Sequence, residues 1–518
     1  MKILFCFCIT GIVLVSSTPA TAQVEQVRFG NLHAHTSYSD GLGVPQDAYK
    51  MACNAGLDFF AITEHNHAAG DGKGERKDGL MIATKPDLYK GKPSSLIESA
   101  NKLNKPGQCV TIYGQEYSTI SSGNHVNIFD VSDIISSPNG AFDQLVGWLE
   151  TNRDAQNNIA VMQFNHPSSG QRARKDYGRD DFGAGDENLW IEAMAPHVSL
   201  IETLNAPALR DGRGQRTHAR EGLYFRYLNL GFHLAPSAGQ DNHFRNWGVA
   251  TDARVAVITP DFTRAGILNA MRARHAYASE DKNLRVVFRS GTALQGDVTE
   301  PPSLGAELDL TVQIVDDDEP DASYRIDVFK DLAGGKPASS PVESFEVTGN
   351  QTTPLDLEGI RLDAIGEYVL LRITQYGRED DEHAEDDRVW TAPIWFEPAT
   401  FHHNHANLPS IRIVSLVPDP LGDDFSSERI TFLNSGTATI DLAGWRARDL
   451  AGNVWNLDGL ASIAAGENKT LLRNGAPMSL NNGGDTIELV APDGTVVQTV
   501  VYSKVSTDEV VSANGNTP

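Results

Sequence analysis

The most constraining feature of this sequence is a repeated pairing. A short apolar run is followed, at its C-terminal end, by a histidine or a carboxylate. The runs include Asp58–Thr63, Cys109–Tyr113, Asn158–Phe164 and Phe232–Ala235, with a further run at Leu200–Leu204. His65 follows the first, Glu116 the second, His166 the third, and Asp241 with His243 the fourth. His33 and His35 stand two apart after a similar strand-like start, and Asp40-Gly41 follows at a turn that can bring the carboxylate back. Stretches of helical character, such as Pro45–Ala55 and Phe142–Thr151, lie between the runs. Strands alternating with helices predict an α/β layout with a parallel sheet over about residues 25–290. In such folds the C-terminal edge of the strands is where sites are built.

In a strand, residues i and i+2 share a face, so His33 and His35 can reach one cation, as can Asp241 and His243. Neutral imidazole with carboxylate is a donor set for Zn, Mn or Fe. Calcium and magnesium favour oxygen alone. A lone histidine is ordinarily a core or surface residue. Two such pairs plus several further donors at strand ends are read instead as a metal cluster. Covalent alternatives find no support: there is no G-x-S-x-G elbow, and neither Cys53 nor Cys109 has a catalytic setting.

The ends of the chain add context. Lys2, the apolar run Ile3–Val15 and the small-residue sequence Ala20-Thr21-Ala22 read as a secretory signal peptide over residues 1–22. The run is about 13 residues, short of the ~20 a spanning helix needs, and no later run is long enough to span a bilayer. The expected location is therefore periplasmic or extracellular. Cleavage removes Cys6 and Cys8, so the mature chain has two cysteines and room for one disulfide at most. The formal charge of −25 repels nucleic-acid backbones and anionic membranes, which argues against a nucleic-acid binder. It does not exclude phosphate chemistry, because a bound cation overrides the global sign.

Near residue 297 the texture changes to β-type alternation. The expected organisation is an α/β unit over 23–296, a β-sandwich over 297–400, a linker over 401–410, a second sandwich over 411–506 and a flexible tail over 507–518. Asp316–Asp321 and Glu379–Asp387 are acidic enough to attract calcium, but they lack the spacing of a calcium loop and read as solvated charge runs. His402, His403 and His405 read as linker histidines.

Several segments carry a family resemblance. Asn31-Leu32-His33-Ala34-His35-Thr36 with Ser39-Asp40-Gly41 resembles the first motif of the PHP (polymerase and histidinol phosphatase) family. Ile62-Thr63-Glu64-His65-Asn66 resembles the second, with Glu64 where many members have Asp. Gly114-Gln115-Glu116-Tyr117, Gly123-Asn124-His125-Val126-Asn127, Asn165-His166-Pro167 and Gln240-Asp241-Asn242-His243 resemble the later motifs. The resemblance covers about residues 28–290. It implies a distorted (β/α)7 TIM-like barrel with a trinuclear centre of two to three Mn, Zn or Fe ions. It also implies the ligand sets: His33, His35, Glu116 and Asp241 for the first ion; Glu116, His125 and His166 for the second; Asp40, His65 and His243 for the third. Glu116 would then bridge two ions, and Glu116 and Asp241 would be the catalytic carboxylates. His67, His197, His218, His233 and His275 match no motif. Residues 411–505 resemble a lamin-tail domain, an immunoglobulin-like sandwich, through Glu428–Gly436, Asp441-Leu442-Ala443-Gly444-Trp445 and Gly484–Leu489. This implies tethering to a surface or a protein.

Clustered divalent ions lower the pKa of a bridging water and neutralise charge on a phosphoryl oxygen. The expected activity is therefore hydrolysis of a small-molecule phosphodiester or phosphomonoester. Carbamate or carboxylic-ester hydrolysis on the same cluster remains open, as does a surface-binding protein without turnover. Arg172 and Arg174, in the loop after His166, and Arg245, after His243, are the candidate phosphate contacts, because arginine forks match phosphate oxygens. A solvated loop accounts for the first two equally well.

Overall fold

The computed structural model of the protein describes residues 26–66, 95–117, 124–138, 140–167, 171–182, 187–205, 218–333, 338, 340–377, 386–398, 411–434, 439–449, 451–464, 466–492 and 496–512. The signal segment and His402, His403 and His405 lie outside them. The chain divides into two units, Met1–Thr400 and Phe401–Pro518.

The first unit is built on one long curled sheet. Its strands are β1 (Val27–Asn31), β2 (Phe59–His65), β3 (Val110–Tyr117), β4 (Val126–Phe129), β5 (Met162–Phe164), β6 (Val198–Asn205), β7 (His218–Ala219), β8 (Ala235–Gly239), β9 (Arg254–Ile258) and β10 (Ala276–Ser279). β1–β2–β3 pair in parallel, as do β5–β6 and β6–β8. The expectation of a parallel sheet holds for these and fails elsewhere: β4 runs antiparallel to β3 and β5, and β9 antiparallel to β1. The reason is local. Only a short connection separates β3 from β4, too little for the crossover that parallel neighbours need.

The curl brings β8 against β9 and β10. At the C-terminal rim it meets the chain after β1 through a single parallel bridge, Ala34–Asn242. The N–H of His35 donates to the Asn242 carbonyl at 2.8 Å, and that of Leu42 to the His243 carbonyl at 2.8 Å. Two distant segments carrying histidines and carboxylates are thereby laid side by side.

Strand alternation then decides what faces inward. Phe59 and Ala61 of β2, Val110 and Ile112 of β3, Leu200 of β6 and Ala235 of β8 belong to one apolar cluster. Continuing at period two from them leads to His65, Glu116, Glu202 and Asp241. The apolar residues fill the curl and the polar ones crown it. Helix α6 (Arg264–Arg272), capped by Thr263, puts Ile267, Leu268 and Met271 into the same cluster and packs against β3, β6 and β9. It lies towards the N-terminal side of β1, so it closes the end away from the crown.

The outer helices are α1 (Pro45–Asn54), α2 (Leu96–Leu103), α3 (Phe142–Thr151), α4 (Glu187–Met194) and α5 (Glu221–Asn229). α1 begins on proline, whose missing N–H is no loss in a first turn. α2 begins on a capping box between Ser95 and Glu98. Cys53 in α1 is disulfide-bonded to Cys109 before β3, closing a separation of 56 residues. In the chain-entropy model such a loop contributes roughly 4 kcal/mol.

The β-rich segment expected from residue 297 is present, but the sheet crosses the boundary. Strand Asp387–Thr391 pairs with β10, and Glu367–Gln375 pairs with Asp387–Thr391. A second sheet formed by Arg285–Ser290, Leu310–Val315 and Gln351–Asp356 shares one apolar core with it, and that core includes Val27, Ala256 and Tyr277 of the α/β part. The change of texture near 297 therefore falls inside one unit, whose second sheet begins already at Arg285 and whose later strands join both sheets.

Among the described residues of the second unit every strand pairing is antiparallel. Ile411–Val417, Arg429–Asn434 and Asn468–Leu472 form one sheet; Arg446–Asp449, Gly484–Val490 and Val496–Ser503 form another. Ile413, Phe432, Trp445, Trp455, Ile487 and Leu489 fill the core between them. Among the described residues no helix is long and apolar enough to cross a membrane.

Candidate metal centre

Six strands bring the donors to the rim. His33 and His35 come from the chain after β1, His65 from the end of β2, Glu116 from β3, and Asp241 and His243 from the chain after β8. His125 precedes β4 and His166 follows β5. Asp241 (φ +45°) and His166 (φ +29°) sit in the left-handed region, where a residue with a side chain is held at a cost. Asp40 belongs to a tight turn in which the N–H groups of Ser39 and Gly41 both donate to the Thr36 carbonyl. A Cβ at Gly41 would lie 2.8 Å from the main chain of His35, so only glycine fits there. Glu64 clamps this turn, accepting from the Thr36 N–H and from the hydroxyls of Thr36 and Ser39.

The geometry of the first donor set is informative. His33 Nε2 lies 3.2 Å from Glu116 Oε1 and 3.3 Å from Asp241 Oδ1. His35 Nε2 lies 3.3 Å from Glu116 Oε2 and 3.2 Å from Asp241 Oδ1. The two Nε2 atoms are 3.2 Å apart. Bonds of about 2.0–2.2 Å at tetrahedral or octahedral angles would separate neighbouring donors by about 2.8–3.6 Å. All five separations fall in that window, as the edges of one coordination polyhedron would.

Around this set stand the others. Asp40 Oδ1 is 3.1 Å from His243 Nε2, and Asp40 Oδ2 is 3.6 Å from His65 Nε2. Together with His35 these form a second group able to hold an ion. Glu116 Oε1 is 3.0 Å from His125 Nδ1 and 3.2 Å from His166 Nε2, and Glu116 Oε2 is 2.9 Å from His65 Nδ1. The third compact group is His65, Glu116 and His125, and His166, which the resemblance puts beside Glu116 and His125, approaches the same Glu116 oxygen as His125. Sealed from solvent, His125 Nε2 has no hydrogen-bond partner, and Glu116 Oε2 faces only the ring nitrogens of His65 and His35. Buried polar atoms are rarely left so, and a cation at the crown fits them. The nine side chains thus suit divalent ions.

The electrostatics describe the metal-free cage. Burial works against charge on His33, but the carboxylates of Glu202, Glu116 and Asp241 outweigh it and raise the ring well above its ordinary value. Burial is likewise overcome at His35, which contacts with Asp241 and Glu116 push up to about 10. His65 goes the other way: burial, with charged His35 nearby, takes it down to about 4. Burial would raise Glu116 and Asp241, yet the surrounding imidazoles, His33 foremost, hold both well below the usual carboxylate range.

Glu202 is the residue that sequence reasoning missed. It is fully buried on β6, and its Oε1 lies 2.7 Å from His33 Nδ1. The signal was present: a carboxylate inside the run Leu200–Leu204, in register with Leu200, is costly to bury unless something pairs with it. Asn165 is a second such partner, donating to Glu116 Oε1 at 3.0 Å.

Other expectations fare differently. Arg245 is exposed, and its Nε stands 3.0 Å from where a Cβ of Gly43 would be, next to the Asp40 turn. The side chains of Arg172 and Arg174 lie outside the described residues, as do His67 and the His218 side chain; the main chain of Gln171–Asp181 forms short 3-10 turns around a kink. His197, His233 and His275 pair with Glu150, Glu397 and Asp297 and do not join the cluster. Asp316 accepts from the N–H groups of Asp318 and Glu319 and from Asn283 and Gln375, while Asp317 and Asp318 pair with Arg285 and Lys282. That acidic run ties down its own loop.

Residues 404–504 match the Lamin Tail Domain family model. No curated protein matches the chain. Among solved structures, the chain is similar to a two-domain protein of Bacteroides vulgatus described as containing a predicted PHP-like metal-dependent phosphoesterase: 13% identity, 92% of this chain and 95% of that one, TM-score 0.31. It is also similar to a lesion-specific endonuclease of Pyrococcus furiosus (10% identity, 48% and 56%, TM-score 0.27) and to an amidohydrolase of Chromobacterium violaceum with bound sulfate (13%, 47% and 96%, TM-score 0.25). These overlaps are loose, and the functional reading rests on the side chains themselves.

Proposed function

We propose that the protein is an exported metal-dependent phosphoesterase that hydrolyses small phosphodiesters or phosphomonoesters at a centre of two to three divalent ions. Its first unit is read as a strongly distorted (β/α)7 barrel with that centre at the C-terminal rim. The observation that carries the reading is the set of five donor separations of 3.2–3.3 Å among His33, His35, Glu116 and Asp241. Mn, Zn or Fe suits these donors. Ions held there supply a water activated near neutral pH and neutralise charge on a phosphoryl oxygen. The protein's own part is placement. Glu116 offers both oxygens to different donor groups and so joins the positions, and Asp241 and Asp40 bring the negative charge that holds cations at a buried rim. Arg245, exposed beside the Asp40 turn, is read as a cation that meets a substrate anion. Export is supported by the signal-like residues 1–22 and by the Cys53–Cys109 disulfide, since disulfides persist in oxidising compartments. The lamin-tail unit is read as a tether to a surface or a protein.

The test is turnover of aryl phosphodiester, aryl phosphomonoester and aryl carbamate by the purified protein, with and without a chelator. Chelator-sensitive release from a phosphate ester is the expected result. Release from the carbamate alone would replace phosphoesterase by carbamate hydrolase on the same centre. No release from any substrate at full metal occupancy would favour a binding protein.

A further inference from the structure

We propose that Glu202 is the positioning residue of the centre: one buried carboxylate fixes which ring nitrogen His33 presents and also holds the main chain that carries His166. The inference rests on reading the cluster as a metal centre, and it concerns a residue outside the nine donors.

The contacts are divided between the two oxygens. Oε1 faces His33 Nδ1 at 2.7 Å, with Gln163 Nε2 at 3.4 Å. Oε2 accepts from the His166 N–H at 2.6 Å and from Asn205 Nδ2 at 3.0 Å. Both oxygens face donors, so the ring brings a proton to Nδ1, and Nε2 is then the nitrogen left to offer a lone pair to an ion held between Glu116 and Asp241. The second oxygen acts on a different element. His166 sits at φ +29°, a conformation that costs energy and needs an anchor, and its N–H is anchored here. The surroundings show how closely the group is fitted: a Cβ at Gly239 would stand 1.7 Å from Glu202 Oε1 and 3.2 Å from the His33 Cβ. Position 239 therefore needs glycine for space, and β8 comes up against the carboxylate.

The arrangement makes Glu202→Gln a sharp probe. The carboxylate has donors on both sides, and an amide offers one acceptor and one donor. Whichever way the amide turns, its NH2 faces an N–H. Either the His166 anchor is lost, or His33 moves its proton to Nε2 and gives up its lone pair. Losing an outer partner of this kind costs about 10–100-fold in metal affinity.

The experiment is calorimetric titration of the metal-free full chain with Zn²⁺, wild type against Glu202→Gln. The expected result is that at least one ion binds about 10–100-fold more weakly in the variant. Because the variant can fail to fold, the Zn-loaded wild type is also studied by 15N-histidine NMR, where the His33 ring should carry its proton on Nδ1. Unchanged dissociation constants for every ion, or a His33 ring protonated on Nε2, would overturn the inference and leave the metal centre standing. A wild-type chain that takes up no divalent ion would overturn both.

Discussion

The two units bury very different things. The rim of the first buries His33, His35, Glu116 and Glu202 completely, all ionisable and packed within contact of one another. The core of the lamin-tail unit is apolar, with Trp455 its largest fully buried side chain, satisfied by a 2.8 Å bond from its indole N–H to the Met478 carbonyl. An apolar core stabilises on its own. A buried set of charges stabilises only while protons or cations balance it. The rim of the first unit thus depends on protons or cations, although the apolar clusters beneath it do not, and the core of the second unit has no such dependence. Mutation, pH and metal removal should each act on one of the two units and spare the other.

The largest expected effect is on the apolar side. Trp455→Ala should destabilise the lamin-tail unit by about 3–5 kcal/mol, as deletion of a buried indole does. It should leave metal content and turnover unchanged, and calorimetric unfolding alongside an activity assay reads both. Next comes Glu116→Gln on the polar side. Because Glu116 serves several donor groups, the loss of kcat/KM should exceed about 100-fold, the upper end for an outer partner alone. Melting of the lamin-tail unit should not move. Wild-type turnover in Glu116→Gln at full metal occupancy would remove it from the centre. Arg245→Ala should be milder, about tenfold on a phosphomonoester, smaller on a diester and negligible on a neutral carbamate, measured as the ratio of the three efficiencies. Equal losses on all three would make Arg245 structural.

The remaining effect is a slope with pH, and its sign differs between states. In the metal-free chain His35 is raised from 6.5 to about 10. A raised group contributes stability that is full below its unfolded value and is lost as pH climbs through the folded one. The chelated first unit should therefore melt lower as pH rises from 7 towards 10. His65, lowered to about 4, is neutral throughout that window and adds no slope. Metal binding must displace the His35 proton, so affinity should rise over the same range. The lamin-tail unit should show neither trend. Equal slopes with and without chelator would contradict the account.

Periodicity decided how much of the molecule was legible in its sequence. Most donors stood out because a histidine or carboxylate at the end of an apolar run is visible at period two, whereas Asp40 was read from its turn and His125 only from the family resemblance; all nine meet at one rim. Glu202 obeyed the same period but lay inside its run, where the eye attributes it to the strand. The antiparallel turn at β4 was hidden because Val126–Phe129 is short and fully buried, and burial on both faces erases the alternation that would tell direction. The continuity of the sheet through residue 297 was hidden for another reason. The pairing of β10 with Asp387–Thr391 joins residues more than a hundred apart, and no local pattern encodes it. The lamin-tail unit was legible through its motif and frequent turns, although among the described strands only three of seven pairings join consecutive strands.

The central claim is that the rim holds divalent ions that the chemistry requires. The direct measurement is elemental analysis of the purified full-length protein, joined to aryl phosphodiester turnover before chelation, after it, and after Mn²⁺ or Zn²⁺ is restored. The account predicts two to three ions per chain, turnover that disappears with them, and recovery on their return. A protein that contains no transition metal and gains no activity from added ions would contradict it.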